Sequence, residues 1–447
     1  MLLYTRSTTP YNTVNRISLF RFSISVALLT FGFLFVHFSF LQPVMTYTFA
    51  FIGTSIFFCW MCWLIFRVDL PKDYIYYCLG LALLLQISFL TVSPIGSDDV
   101  YRYMWDGKVQ TSGLNPYSYA PNSDSLNHLH SVLLPASVNH LDIKTLYFPF
   151  SEWIFSLCYQ MSGEAIWGYK VILLFSEIAT IIGLILLTSR LQIPSKFVLL
   201  YALCPLSLFQ FAIDCHLDEL GFPFLIFGVL AYLQRKTTLA SFLLGLSMSI
   251  KPVGLVLLPI LIIHEQIWKK RILLLVIPAL TISFQFIPYL LNSNPFEALF
   301  TFVKHWTFNG VVFESLNLYF FNNQKTRLIC ALLFGLFLLL LSMSKKPLFD
   351  KLYLSVLLLL LFSPVVHPWY VAWLMIFLPI TQRWSGILYV ATASLTSLTI
   401  LNYKLFGVWK QEPAVLIIEY LPVIAFLFFE LWTPQNTVAL IDKTMEQ

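Results

Sequence analysis

Charged residues are scarce in this sequence of 447 residues. Asp, Glu, Lys and Arg make up 11% of it, whereas soluble domains carry roughly a quarter. Hydrophobic residues make up 58%, and the mean hydropathy is +0.78. This composition excludes a water-soluble globular protein. The net charge of +5 is modest, so we expect no nucleic-acid partner.

Several other features are missing. The seven cysteines give no disulfide framework, and the Cys59–Cys62 pair, although spaced like a metal motif, lies in an apolar run without a second ligand pair. The first apolar run, about 22–41, lacks a small-residue cleavage site and is longer than a signal-peptide core. It therefore predicts an uncleaved first helix. The sequence shows no internal repeat, and we expect no soluble domain at either end.

Apolar runs long enough to span a bilayer recur along the chain. They predict an all-α, polytopic membrane protein with about 12–14 transmembrane helices. Several runs are short, and chains that cross in short halves usually line a cavity there. We expect 1–73 to hold a cytoplasmic segment and two additional helices, 74–405 a core with a long outer loop at 95–164, and 406–447 the last helix and a cytoplasmic tail. Within that loop, 147–161 and 124–144 predict helices at the outer leaflet.

Basic residues indicate how the helices are oriented in the cell membrane. With the N-terminus in the cytoplasm, the cytoplasmic turns hold tight basic clusters such as Lys269-Lys270-Arg271. The outer segments then hold fewer basic residues over much more chain. This orientation places five polar clusters on the extracytoplasmic face: Asp98-Asp99, Asp214–Glu219, Lys251-Pro252, His305–Glu314 and His367–Tyr370. We expect them to line one outward-facing cavity.

The outer loop begins with the most unusual polar segment, Gly96-Ser-Asp-Asp-Val-Tyr-Arg-Tyr-Met-Trp-Asp-Gly-Lys108, followed by Gly113-Leu-Asn-Pro-Tyr117. Two adjacent carboxylates at the end of a hydrophobic run cost free energy unless they are paired or used. In a helix, Asp99, Arg102 and Asp106 would lie on neighbouring turns of one side. The structural alternative is a helix N-cap, which Gly-Ser-Asp suits. The concentration of acidic, basic and aromatic groups favours a functional site.

This segment resembles the first outer loop of the GT-C superfamily of integral membrane glycosyltransferases. It is most similar to the bacterial, mannosyltransferase-like branch that uses polyprenyl-phosphate sugars. Three later segments resemble motifs of that branch in the same order: Cys215-His216-Leu-Asp218-Glu219, Lys251-Pro252, and Ser363-Pro-Val-Val-His-Pro-Trp-Tyr370. The resemblance covers about 74–405, with the first two helices as an addition. Relatives differ in the acidic pair, so Asp98 and Asp99 both remain candidates and Asp99 is preferred.

The resemblance implies transfer of a hexose, usually mannose, with inversion at the anomeric carbon. Asp99, or alternatively Asp98, would act as general base on the acceptor hydroxyl. Fixed cations would stabilise the leaving phosphate, and Arg102 has the planar fork that suits phosphate. The other candidate substrate-binding residues are Tyr101, Asp106, Lys108, His216, Asp218, Lys251, Lys304, His305 and His367. The implied partners are a polyprenyl-phosphate sugar, a lipid or glycan acceptor, and membrane lipids.

Alternatives remain for several of these residues. His216 with its neighbouring acids fits a metal site or an acid-capped turn, Lys251 fits a lysine that snorkels from a helix end, and His367 fits an interfacial anchor. No strong metal constellation is present, although some superfamily members use a divalent cation, so that cofactor stays open. Glu177 and Glu419 lie within apolar runs and have no place in this mechanism.

Two other classes of function compete with the glycosyltransferase. A secondary transporter or a flippase for a lipid-linked sugar would place polar groups near the bilayer midplane between inverted repeats. This sequence instead gathers them at one face. A non-catalytic scaffold is the third hypothesis. The sequence leaves open which sugar, which acceptor and which oligomeric state the protein uses.

Overall fold

The computed structural model describes residues 16–38, 42–291 and 293–433. Within these ranges the chain is α-helical, and its strand-like pairing is limited to isolated bridges from Phe308 and Asn309 to Val365. The predicted all-α class is confirmed. The predicted cytoplasmic segment before Arg16 and the tail after Thr433 lie outside the described residues.

The α-helices of the described residues are, in chain order, α1 Arg16–Leu34, α2 Pro43–Ile65, α3 Lys72–Ile87, α4 Asp99–Thr111, α5 Pro149–Ser162, α6 Trp167–Arg190, α7 Leu199–Ala202, α8 Phe222–Leu233, α9 Thr237–Ile250, α10 Leu258–His264, α11 Trp268–Leu290, α12 Glu297–His305, α13 Val311–Phe320, α14 Asn323–Met343, α15 Leu348–Phe362, α16 Pro368–Met375, α17 Leu378–Thr381, α18 Trp384–Thr392, α19 Ser397–Phe406 and α20 Pro413–Trp432. Proline stands at the first position of α2, α5, α16 and α20, where its missing N–H costs no helical hydrogen bond.

Seven segments of the described chain are long and apolar enough to cross a membrane. They are α1 with its extension to His37, α2, α6, α11, α14, the α18–α19 pair and α20. A bent pair, Ser195–Ala202 with Ser207–Ile213, gives an eighth crossing if its two arms form one span. The protein is therefore a multi-pass membrane protein. The expected total of about 12–14 crossings includes shorter apolar helices such as α3, α8, α9 and α15.

Burial differs between these helices in a way that suits a bilayer. In α14 and α20 only 22% of the most apolar window is buried, and large apolar side chains such as Leu332 and Phe428 are exposed. The corresponding share is 61% for α18–α19, which lies inside the bundle. Because a water-soluble protein buries such side chains, the exposed apolar faces of α14 and α20 fit contact with lipid.

The predicted outer loop, 95–164, has a hydrophobic core of its own. Apolar side chains of α4, α5 and the N-terminal end of α6 pack with Leu126, Leu134 and Val138 from the connecting segment. The predicted helix at 147–161 is present as α5. The predicted helix at 124–144 is limited to a 3-10 helix, Asp124–Leu129, because the rest of that segment buries spaced leucines through turns. This small core positions α4, which carries the acidic pair.

Gly107 lies at a close approach between α4 and α5. A Cβ atom built there would lie 2.4 Å from the carbonyl oxygen of Phe155 and 2.7 Å from its carbonyl carbon. These are backbone atoms, which cannot rotate away as a flexible side chain can. The absence of a side chain at Gly107 therefore sets the distance between the two helices.

We expect Gly107→Ala to destabilise the protein by about 1–3 kcal/mol, the usual cost of overpacking. Thermal unfolding of the purified protein in detergent measures the change. The matched control is Gly335→Ala in α14, where an added Cβ meets no atom within 4 Å. That change should be neutral or stabilise the helix by up to about 1 kcal/mol. Equal melting temperatures for the two variants would contradict the close packing of α4 on α5.

Candidate active site

Asp214 fixes the start of the outer loop to the membrane core. Its Oδ1 accepts hydrogen bonds from the backbone N–H groups of Ile95 at 3.0 Å and Gly96 at 2.8 Å. Its Oδ2 accepts a hydrogen bond of 2.5 Å from the hydroxyl of Tyr47 in α2. A Cβ on Gly96 would lie 2.6 Å from Asp214 Oδ2 and from the Tyr47 ring, so the approach requires glycine. The acidic pair follows two residues later.

Asp98 and Asp99 share one hydrogen-bond donor. The Nδ2 of Asn139 donates to Asp98 Oδ1 at 2.9 Å and to Asp99 Oδ1 at 3.0 Å. Asp98 occupies the N-cap position of α4, but its side chain makes no capping hydrogen bond. The backbone N–H of Asp99 instead donates to Ser97 Oγ at 3.3 Å. Asp98 therefore does not cap the helix through its side chain, whereas Asp99 lies in the first turn of α4, where an acidic residue is favourable.

Asp99 is placed to titrate near neutral pH. Burial raises its pKa to about 6, the neighbouring charge of Asp98 acts in the same direction, and Asn139 and Lys251 oppose the rise. A quarter of its side-chain surface remains exposed, so a substrate can reach it. A carboxylate with such a pKa suits a general base because it is ionised at neutral pH yet holds a proton more strongly than an ordinary Asp.

His216 lies against the other oxygen of Asp99, with its Nδ1 3.6 Å from Asp99 Oδ2. The ring is fully buried, and burial together with the charge of Lys251 lowers its pKa far below the usual value, so the imidazole is neutral. Its ring stacks on Trp369 with a centroid distance of 3.6 Å. The stack continues from Trp369 to His367 at 4.3 Å and from His367 to Phe308 at 4.6 Å. These four stacked rings form the aromatic column.

The column joins three separate segments of the chain at the site. Burial, reinforced by Lys251, lowers the pKa of His367 to about 3, so this imidazole is also neutral at physiological pH. Its faces are covered by Trp369 and Phe308, so it is an internal member of the column rather than an interfacial anchor. Neither histidine supplies a positive charge to a substrate.

Lys251 is the cation of the site. Its Nζ lies 2.7 Å from Asp218 Oδ1 and 3.5 Å from the centre of the Tyr370 ring. The indole N–H of Trp373 donates to the same Asp218 oxygen at 2.6 Å. The lysine side chain is 19% exposed and its ammonium faces a buried carboxylate. A snorkelling lysine would instead extend into water, so that interpretation is not supported.

Glu419, which sequence reasoning left unexplained, holds the loop that carries Phe308. Its Oε1 accepts a hydrogen bond of 3.0 Å from Asn309 Nδ2, and the hydroxyl of Tyr420 donates to the Asn309 carbonyl at 2.7 Å. Phe308 pairs through its backbone with Pro364 and Val366. An acid in α20 therefore positions one end of the aromatic column.

Glu177 has a structural environment in the bundle. Its carboxylate accepts hydrogen bonds from the hydroxyl of Tyr201 at 2.6 Å and from Ser207 Oγ at 3.4 Å. Tyr201 and Ser207 belong to the two arms of the bent pair. Glu177 therefore ties those two arms to α6 rather than facing the site.

Arg102 and Asp106 are not brought to the face of Asp99 that meets His216. Arg102 Nε lies 2.9 Å from both oxygens of Asp106, and its Nη1 donates to the carbonyl of Ile143 at 2.8 Å. Both side chains are buried. The role of Arg102 in binding the donor phosphate stays a prediction: its Nε pairs with Asp106 in the same helix, whereas its buried Nη2 has no hydrogen-bond partner among the described residues.

The remaining predicted residues lie around the rim or away from it. Lys108 pairs with Glu164 at 2.7 Å and lies nine residues along α4 from Asp99, a distance of about 13 Å. Tyr101 is partly buried near Asp98. Lys304 and His305 are exposed at the end of α12. The described residues contain no group of three or more His, Cys, Asp or Glu side chains placed to hold a metal ion.

We expect Asp214→Ala to lower the free energy of unfolding by about 2–4 kcal/mol, because three donors lose their acceptor in a buried place. Thermal unfolding in detergent measures the loss, and faster proteolysis near residue 96 would show that the loop has detached. Asp142→Ala is the control, since Asp142 is an exposed acid of the same outer region. If both variants melt like the wild type, Asp214 does not anchor the loop.

Comparison with known proteins gives one family match. Residues 24–266, more than half of the 447, match the model described as alpha-(1->6)-mannopyranosyltransferase, N-terminal domain. A solved structure, ArnT from Cupriavidus metallidurans bound to undecaprenyl phosphate, is 14% identical, with 84% of this chain and 78% of that chain covered and a TM-score of 0.46. No curated protein matches the chain.

Proposed function

Because this chain belongs to the alpha-(1->6)-mannopyranosyltransferase family, we propose that it transfers mannose from a polyprenyl-phosphate donor to an acceptor hydroxyl. The observation that carries the proposal is the convergence of Asp99, His216 and Lys251, which come from three separate parts of the chain. A base and a cation in one pocket are the two groups that glycosyl transfer from a phosphate needs.

The reaction is a single displacement. The oxygen of the acceptor hydroxyl forms a bond to the anomeric carbon, and the bond from that carbon to the phosphate oxygen breaks. The electron pair of the broken bond leaves with the polyprenyl phosphate. The hydroxyl proton passes to Asp99, because a hydroxyl is a weak nucleophile at neutral pH without a positioned base. Inversion gives an α product only if the sugar is β-linked to phosphate in the donor.

Lys251 is the residue we assign to the leaving phosphate. An ammonium group has three N–H donors, and Asp218 takes one of them at 2.7 Å. The other donors can meet phosphate oxygens as negative charge develops on them. Asp218 and Trp373 hold the lysine in place from the buried side.

An apolar groove between three helices suits the lipid part of the donor. The groove has a volume of about 800 Å³ and lies between α6, α8 and α9. It begins at Pro223 and Phe224, shortly after the turn that carries Asp218, and reaches Arg190 and Gln234 at the other end of these helices. Its apolar lining matches an isoprenoid chain, which supports a lipid-linked rather than a nucleotide-linked sugar.

We place the reaction on the extracytoplasmic face. The short basic turns, including Arg190 and Lys269-Lys270-Arg271, lie at the helix ends opposite to the acidic pair, and basic turns face the cytoplasm in most membrane proteins. Tyr101, Lys304 and His305 are proposed to contact the acceptor or sugar from the rim. A divalent cation stays an untested option, and no step above requires one.

We expect Asp99→Asn to lower mannosyl transfer by at least about 100-fold, because the amide cannot accept the hydroxyl proton. The assay uses proteoliposomes containing the full chain, radiolabelled polyprenyl-phosphate mannose and a membrane lipid extract as the source of acceptor. Donor binding, measured separately, should stay within about threefold of the wild type, because the change affects the transition state.

Asp98→Asn is the matched control for Asp99→Asn. It removes the neighbouring carboxylate that shares the same Asn139 donor, and it should keep most of the transfer activity. Loss of transfer in Asp98→Asn with activity retained in Asp99→Asn would reverse the two assignments. If, with the wild type, the radiolabelled donor crosses the bilayer and no mannose is transferred to an acceptor, the result would favour the alternative function of a flippase for a lipid-linked sugar.

The pH dependence of kcat/KM should report Asp99. The base works only when deprotonated, and its pKa is raised to about 6, so kcat/KM should be lost as the pH falls through about 6 and be constant above it. A rate profile measured in the same proteoliposomes checks this. If kcat/KM instead falls only near pH 4, the ordinary pKa of Asp being about 4, the general base is not Asp99 in the buried state described here.

A further inference from the structure

We propose that Asn139 is a positioning residue for the acidic pair. Its single amide nitrogen holds both carboxylates and leaves Asp99 Oδ2 as the oxygen that takes the proton of the acceptor hydroxyl. This inference rests on the proposed role of Asp99 as general base. Asn139 belongs to none of the motifs that point to the family, and it lies 40 residues after Asp99 in the chain.

The geometry uses the full donor capacity of one amide group. An Asn side chain carries two hydrogens on Nδ2, and the two acceptors at 2.9 Å and 3.0 Å are the Oδ1 atoms of Asp98 and Asp99. One hydrogen is therefore available for each carboxylate. A flipped amide would direct its carbonyl oxygen at two acidic groups, so the contacts fix the orientation of Asn139 as well.

The same contacts select one oxygen of Asp99. Oδ1 is occupied by Asn139, whereas Oδ2 faces the neutral His216 at a distance of 3.6 Å, which is longer than a hydrogen bond. Oδ2 therefore keeps its capacity to accept a proton. It also lies on the side of the aromatic column and Lys251, where the sugar phosphate is proposed to bind.

Asn139 is itself held firmly on both sides. The preceding residue, Val138, is buried in the outer-loop core, and its N–H donates to the Pro135 carbonyl at 2.8 Å. The following residue, His140, has a φ of 48°, and its ring meets Trp306 edge-on with a centroid distance of 5.0 Å. A non-glycine residue in this region is uncommon and needs support from its surroundings. These anchors position the amide before substrate arrives.

The charges around Asp99 explain why the pair needs such a residue. Asp98 and Asp218 raise the pKa of Asp99, whereas Asn139 and Lys251 lower it. His216 is neutral. Hydrogen bonds to a carboxylate favour its ionised form, so Asn139 offsets the repulsion between two adjacent negative charges. Without it, Asp99 would take up a proton at higher pH and be lost as a base.

The experiment compares the pH profile of kcat/KM for the full chain in proteoliposomes across four variants. Asn139→Ala removes both hydrogen bonds and should move the acid limb to higher pH, so that transfer at about pH 6 falls roughly three- to tenfold more than at about pH 8.5. Asn139→Ser keeps one donor and should give a smaller shift in the same direction. Asp98→Asn removes the neighbouring charge and should move the limb to lower pH.

Asn127→Ala is the control, because Asn127 is exposed in the same segment and its side chain donates a hydrogen bond to the neighbouring Asp124 rather than to the acidic pair. Its profile should equal that of the wild type. A loss of activity by the same factor at every pH in both Asn139 variants would overturn the inference, since a purely structural role predicts it. If Asn139→Ala does not fold, the inference is tested by Asn139→Ser alone, through the smaller shift of the acid limb of its kcat/KM profile to higher pH.

Failure of the inference differs from failure of the proposed function. If Asp99→Asn is inactive and the Asn139 variants show no shift, the base assignment stands and Asn139 does not position it. If Asp99→Asn transfers mannose as well as the wild type does, Asp99 is not the base and the inference falls with it.

Discussion

A charged group that is buried away from water needs hydrogen bonds or an opposite charge beside it. In this protein that requirement determines how the loop of the site is attached to the helix bundle. Asp214 is buried, and it is stabilised only because two backbone N–H groups of the outer loop and the Tyr47 hydroxyl donate to it. Those contacts fix the loop to the bundle, and the loop then carries the acidic pair to the turn with His216. A buried carboxylate without a partner would lower the free energy of unfolding by several kcal/mol. The attachment of the loop to Asp214 is therefore strongly favoured over a detached loop.

The same requirement separates the residues proposed to act on a substrate from residues that hold the fold. Arg102 and Asp106 neutralise each other within one helix, and Glu419 is occupied by Asn309. Asp99 and Lys251 are different, because each keeps an exposed part of its side chain beside its partner. Partial exposure of a charged group inside a cluster of buried ones therefore distinguishes the proposed reactive centre better than charge alone.

The sequence predicts the membrane character, the all-α class and the family resemblance, which the match over residues 24–266 confirms. It also predicts that the segments carrying Asp99, His216, Lys251 and His367 meet, because hydropathy and basic turns assign them to one face. The sequence does not predict Asn139 or the anchoring role of Asp214. Both act through contacts between residues 40 or more positions apart, and a single asparagine or aspartate in a polar loop carries no periodic signal.

The proposed donor agrees with the balance of charge at the site. Asp99 and Asp218 face Lys251, and Asp98 lies beside Asp99, whereas the two histidines of the aromatic column are neutral. Such a pocket repels an anion unless the anion arrives close to the lysine. Under the proposed function, a sugar phosphate could do so by entering from the lipid side, because the groove between α6, α8 and α9 is lined from Pro223 onward and the turn of Asp218 precedes Pro223 in the chain. The excess of acid would then oppose retention of the negatively charged product. Such a site would bind the donor through its lipid and sugar parts and would use Lys251 mainly as charge develops on the leaving phosphate.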